Sequence, residues 1–161
     1  MTSPLAARQT AAYGRGLLLD DGDLVLDNGA LVEVSGLVNL RQGLLLRLET
    51  PWASDLLNTG YGLDVLEGFT SGLSRARSKD VLRLSIVRTL SADPRVAAVD
   101  QVLFDDDPEY LADHPRDAGV DRRRALVQVT VQPVALPVAG TQTTAAAAPS
   151  DAVTLLADVR W

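Results

Sequence analysis

Asp93-Pro94-Arg95-Val96 divides two apolar segments of different period. Upstream, Val81, Leu82, Ile86, Val87 and Leu90 recur at helical spacing; downstream, Val96 to Phe104 is an apolar strand candidate. Proline cannot continue a helix, and it biases the residue before it away from helical geometry. The chain must therefore turn here, from helix to strand, and the turn carries Arg95. A guanidinium on a rigid turn is a planar, permanently charged fork suited to carboxylates or backbone carbonyls. Taken alone, the tetrapeptide reads as a helix stop with a solvated arginine.

On either side of this junction the pattern is mixed. Residues 1–12 are small and polar and read as a flexible N-terminal arm. Leu17 to Val34 alternates short apolar runs with Asp20-Asp21-Gly22-Asp23 and Asp27-Asn28-Gly29, the signature of a β-meander, with Asn28-Gly29 the clearest hairpin turn. Ser35 is a candidate cap for a helix starting near Gly36 or Leu37. Along it Leu37, Leu40, Leu44 and Leu48 form one stripe, Gln42 lies off that stripe, and Thr50-Pro51 ends it. Trp52 to Thr70 is irregular. A second helix runs within Ser71 to Leu90, with Ser78 a candidate N-cap.

Beyond the junction, Asp105 to Asp121 reads as an acidic, proline-broken loop. Ala125 to Val134 alternates and should pair with Val96–Phe104 as an antiparallel hairpin. The expected fold class is α+β: an N-terminal β-hairpin or meander, two main helices packed on a small antiparallel sheet, and an extra C-terminal strand. The expected organisation is an arm over 1–12, one α+β domain over 13–136, an Ala/Thr/Pro-rich linker over 137–150 and a strand over 151–161. That last strand sets Val153, Leu155, Ala157, Val159 and Trp161 on one face. No internal repeat stands out.

Composition narrows the function. Hydrophobic residues are 47% of the 161, enough for a real core. There is no cysteine, so disulfides, thiolate catalysis, iron–sulfur clusters and cysteine zinc sites are excluded. A net charge of −6 argues against nucleic acid and anionic membranes as main partners. The first residues lack the basic start and apolar run of a signal peptide, and no run approaches about 20 uninterrupted apolar residues. A soluble chain, cytoplasmic when made and without membrane insertion, is expected.

The order of motifs is more specific than any one of them. A hairpin is followed by a Leu-rich helix with Gln42, then Leu48-x-Thr50-Pro51, Tyr61-Gly62-x-x-Val65, a helix, Asp93-Pro94-Arg95-Val96 and a β-hairpin. Over residues 16–134 this order resembles the GPW, or gene-twenty-five-like, baseplate wedge family of contractile phage tails and contractile injection systems. Asp93 stands where the family usually has glutamate. Asn58-Thr59-Gly60 replaces a proline before Tyr61-Gly62, and the 137–161 tail lies outside the family pattern. The resemblance implies a structural protein in a particle's baseplate, in a hexameric arrangement, joining other wedge proteins to the first sheath ring and templating sheath assembly. It implies contact with wedge and sheath proteins, and with the tube or hub, and no cofactor. Asp93, Pro94 and Arg95 are then the main interface candidates. Gln42, Tyr61 and Trp161 join them, although Tyr61 also reads as a core anchor and Trp161 as a residue folded on its own sheet.

The alternative expectation is a muramidase, because some family members have been labelled lysozyme-like. Glycoside hydrolysis needs two carboxylates flanking a cleft, one with a raised pKa, and the sequence singles out no such pair. His114, the only histidine, lies in the polar stretch Asp113-His114-Pro115-Arg116. No Gly-x-Ser-x-Gly elbow accompanies it. Tyr13-Gly14-Arg15-Gly16 lacks the lysine and spacing of a phosphate loop. Asp105-Asp106-Asp107-Pro108-Glu109 lacks the alternating ligands and central glycine of a calcium loop. No catalytic residue and no metal site is expected.

Overall fold

The computed structural model describes residues 3–66, 73–115, 124–136 and 152–160. α1 (Pro4–Tyr13) leads into six short strands: β1 (Arg15–Leu17), β2 (Leu19–Asp20), β3 (Asp23–Leu24), β4 (Leu26–Asp27), β5 (Ala30–Leu31) and β6 (Glu33–Ser35). Then follow α2 (Leu37–Glu49), α3 (Arg75–Ser91), β7 (Val96–Phe104), α4 (Pro108–Asp113), β8 (Arg124–Pro133) and β9 (Val153–Arg160). The fold is α+β, as the residue pattern requires.

The core is a two-layer sandwich. β7, β8 and β9 form an antiparallel sheet with β8 in the middle. Alternation decides its faces: Val127, Val129 and Val131 of β8 are fully buried, and Val153, Leu155, Ala157 and Val159 of β9 lie beside them. α2 covers this face over β9 and α3 covers it over β7. Leu40, Leu44 and Leu48 from α2 meet Leu82, Ile86 and Leu90 from α3 above the sheet. The other face of the sheet carries Gln101, Gln128, Thr130 and Thr154, with Leu156 44% exposed.

Residues 15–35 form a compact clover of hairpins. β1 pairs with β6 as the stem, while β2–β3 and β4–β5 are two leaves, all antiparallel. Each leaf turns through two residues in left-handed geometry: Asp21 and Gly22 at φ 47° and 85°, Asn28 and Gly29 at φ 49° and 81°. This is the twist-matched hairpin turn that Asp-Gly and Asn-Gly favour. At the centre three main-chain hydrogen bonds close a ring. Leu18 N–H donates to Val32 O (2.8 Å), Val32 N–H to Val25 O (3.0 Å) and Val25 N–H to Leu18 O (3.0 Å). The ring members are seven residues apart, and the leaves are a repeat: Leu-Asp-Asp-Gly-Asp-Leu-Val over 19–25, then Leu-Asp-Asn-Gly-Ala-Leu-Val over 26–32. The expectation of no internal repeat is thus corrected.

Other boundaries shift for local reasons. The segment expected as an arm is helical from Pro4 to Tyr13, with proline in the first turn, where its missing N–H is harmless. α2 takes Gly36 rather than Ser35 as its N-cap residue. α3 begins after Ser74, and Ser78, the expected cap, is instead buried one turn inside the helix. The acidic stretch contains α4, again with proline at its start. The 137–150 linker and Trp161 lie outside the described residues, as do residues 116–121 of the acidic stretch.

Candidate functional site

The Asp93-Pro94-Arg95 turn follows α3 directly. Asp93 N–H donates to Leu90 O (3.1 Å) and Val96 N–H to Asp93 O (3.0 Å), so the helix end and the strand start are stitched together. The Asp93 carboxylate is almost wholly buried and committed to one partner. Oδ1 accepts from Arg95 N–H (3.0 Å) and Nε (2.9 Å), and Oδ2 accepts from Nη2 (2.7 Å). Those hydrogen bonds hold the Asp93 carboxyl below the usual carboxylate range, against the opposing effect of burial. The same pairing raises the Arg95 pKa.

The remaining arm of the guanidinium points inward. Arg95 Nη1 donates to Tyr13 O (3.2 Å), at the end of α1. Asn39 Nδ2 donates to the same carbonyl (2.9 Å), and Tyr13 Oη donates to Val134 O (2.8 Å). Val134 N–H in turn donates to Arg95 O (2.9 Å). A Cβ added at Gly43 would stand 3.2 Å from Arg95 Nη2, so α2 needs a small residue there. One arginine therefore ties α1, the α3–β7 turn and the end of β8, and passes close to α2 at Gly43. Its fork is spent within the chain, and the side chain is 28% exposed.

Gln42 is a second clamp. Its Oε1 accepts from Leu19 N–H (2.9 Å) and its Nε2 donates to Leu17 O (2.8 Å). The amide thus bridges the two main-chain groups flanking Leu18, one member of the clover's central ring. Tyr61 is half-buried with the Arg47 guanidinium 4.8 Å from its ring centre. Burial raises its hydroxyl pKa, while Arg47 and Arg95 oppose the shift. The structure thus brings Asp93, Pro94, Arg95 and Tyr61 into one electrostatic neighbourhood. It sets Gln42 apart against the clover, and Trp161 is outside the described residues.

Sequence reasoning singled out Gly62 only as part of a motif and missed the roles of Tyr13, Asn39, Arg47 and Thr89. Thr89 Oγ1 donates to Gly62 O (3.3 Å) and Arg47 Nη1 to Thr89 O (3.3 Å), which pins Tyr61-Gly62 to both helices. Leu63 N–H donates to Thr50 O (2.8 Å) and Trp52 N–H to Leu63 O (3.0 Å). The backbone passes so close that a Cβ on Gly62 would lie 2.6 Å from Thr50 O. The only local signals were an asparagine amid the leucines of α2 and a glycine after an aromatic.

The acidic run is a brace. Asp107 Oδ2 accepts from Phe104 N–H (2.8 Å) and from Arg83 Nη2 (3.2 Å). Asp106 pairs with Lys79 and Arg75, and Asp105 is buried. Burial dominates at Lys79 and lowers its pKa despite the acidic neighbours. His114 stacks on Tyr110 with ring centres 4.5 Å apart. Among the described residues, no group of three or more His, Asp or Glu side chains is placed to hold a metal ion. Among the same residues, no helix is long and apolar enough to cross a membrane.

Compared with protein-family models, with curated proteins and with solved structures, the chain matches none of them.

Proposed function

We propose that this chain is a structural, non-enzymatic subunit of the baseplate wedge of a contractile injection system, joining the wedge core to the first sheath ring. The observation that carries the reading is the sheet β7–β8–β9, entered through the Asp93-Pro94-Arg95 turn. Its two outer strands have no further strand paired to them among the described residues. β9 runs alongside β8 from Val153 to Arg160 without a shift, whereas β7 is shifted twice against β8. A regular open edge can accept an incoming strand, with main-chain hydrogen bonds supplying affinity and alternate side chains supplying register. That is how a sheath subunit would be received, at β9. The motif order from Gln42 to Val96 supports the same assignment. The partners are then other wedge proteins, sheath protein and the tube or hub, in a hexameric particle assembled from cytoplasmic protein without a cofactor.

Deleting the gene in its native host and imaging the particles tests this. The expected result is loss of sheathed particles, restored by the wild-type gene, with the tagged chain co-purifying with sheath. Normal yields of sheathed particles without the chain would sink the assignment.

A further inference from the structure

α2 uses its surface in three ways. Leu40, Leu44 and Leu48 enter the core, while Asn39 and Gly43 face Tyr13 and Arg95. A third stripe of Val38, Arg41, Leu45 and Glu49, spaced three and four residues apart, floors an open groove of about 770 Å³. One wall is the clover at Leu18 and Asp21. The other is the Pro51–Val65 segment, with the end of β9 at Asp158. Val38 is 59% exposed on this floor. Trp52 and Leu66, both exposed, extend the apolar surface past Pro51 and Val65. Among the described residues, the groove is lined by the carboxylate-bearing Asp21 and Glu49 and by Arg41, so its charged rim is acidic on balance.

We propose that this groove docks an amphipathic helix of another protein, its apolar stripe laid on α2 and its flanks carrying lysine or arginine. The spacing of the floor argues for a helix. Ridges at three- and four-residue intervals are complementary to the grooves between the same ridges on a second helix. The charge on the walls argues for basic flanks, since complementary potentials fix register and speed encounter. The same carboxylates disfavour an anionic bilayer. The wall is also preorganised, because the Gln42 amide holds the clover against α2, so little ordering is left to oppose binding. The surface is distinct from the Arg95 clamp and from the β9 edge, and the proposal stands without the assembly role above.

The test uses the full chain and a synthetic leucine/lysine amphipathic helix of about 18 residues. A leucine/glutamate counterpart and a proline-broken leucine/lysine version serve as comparators. Amide resonances are followed during titration. The expected result is saturable binding of the leucine/lysine helix that shifts Val38, Arg41, Leu45 and Glu49 and is weakened at least about tenfold by Val38→Lys and by Glu49→Lys. Asp100→Lys, an equal change of charge on β7, should leave affinity unchanged. Circular dichroism confirms that each variant is folded, and the two groove variants probe the floor independently. Shifts centred elsewhere, equal binding of the glutamate or proline-broken helix, or no binding would overturn the proposal. So would sedimentation showing a dimer that Val38→Lys dissociates, which would make a second copy the occupant.

Discussion

Arg95 and Asp93 sit two residues apart and satisfy each other across a turn that proline makes rigid. The turn itself was legible in the sequence, but the arginine expected to be solvated or offered outward on it is instead turned in, its fork bonded to Asp93 and Tyr13. The inner partner was not legible, because Tyr13 lies 82 residues away and no local pattern encodes that separation. Removing the guanidinium leaves a buried carboxylate without its counter-ion. Arg95→Ala should therefore cost about 2–3 kcal/mol in chemical denaturation, near the low end for a buried pair because the arginine is partly exposed. Arg95→Lys should recover little, since an ammonium cannot reproduce the two-pronged contact. The pair also sets a pH dependence. The Asp93 carboxyl lies below its ordinary value in the folded chain, so its contribution is complete above the unfolded pKa of about 4 and is lost as pH falls through the lower folded value. Denaturation melts taken from about pH 5 down to about pH 3 should show wild type losing more stability than Arg95→Ala. Gln42 shows the same limit of local reading. Its place off the apolar stripe was visible, but its two main-chain partners were not. Gln42→Ala should cost about 1–2 kcal/mol and raise amide exchange in the clover before it does so in the sheet.

At the scale of elements, short-range chemistry was the best guide. α2 has almost the bounds its leucine stripe and Thr50-Pro51 dictate, and Asn28-Gly29 turns the hairpin expected of it. β7 and β8 pair antiparallel, as the alternation of Ala125–Val134 led one to expect, although β7 itself does not alternate and is shifted twice against its partner. α1 was hidden because its Ala-rich sequence has no apolar stripe and buries mainly Tyr13. The clover's repeat was hidden because strands of two or three residues carry too little alternation to register as units. Two glycines separate backbone strain from crowding. A Cβ at Gly29 meets open space, so Gly29→Ala costs only the left-handed conformation, about 1 kcal/mol. At Gly62, φ is 107° and the same methyl would strike the Thr50 and Pro51 carbonyls, so Gly62→Ala should cost about 3 kcal/mol or more. Urea denaturation of the two variants side by side checks the ordering.

For the molecule as a whole, β9 is integral to the core. Period-two alternation announced the strand, but not that it would lie beside β8 and under α2, since register across a long intervening segment is not written locally. Leu155 is fully buried beneath the helices, and Leu155→Ala should cost about 2–5 kcal/mol in equilibrium unfolding. A loss near zero would mean that β9 contributes little to the folded core. The clover's closed ring has a different consequence. Its three hydrogen bonds involve only main-chain atoms of Leu18, Val25 and Val32, so the leaf tips beyond them are independent of one another. Because the ring fixes both strands of each leaf at its base, residues added in pairs at a tip lengthen the leaf while the pairing register beneath is kept. The tips at Asp21-Gly22 and Asn28-Gly29 are therefore grafting points. Peptide epitopes or tags inserted there in matched pairs can be displayed without rebuilding the domain beneath.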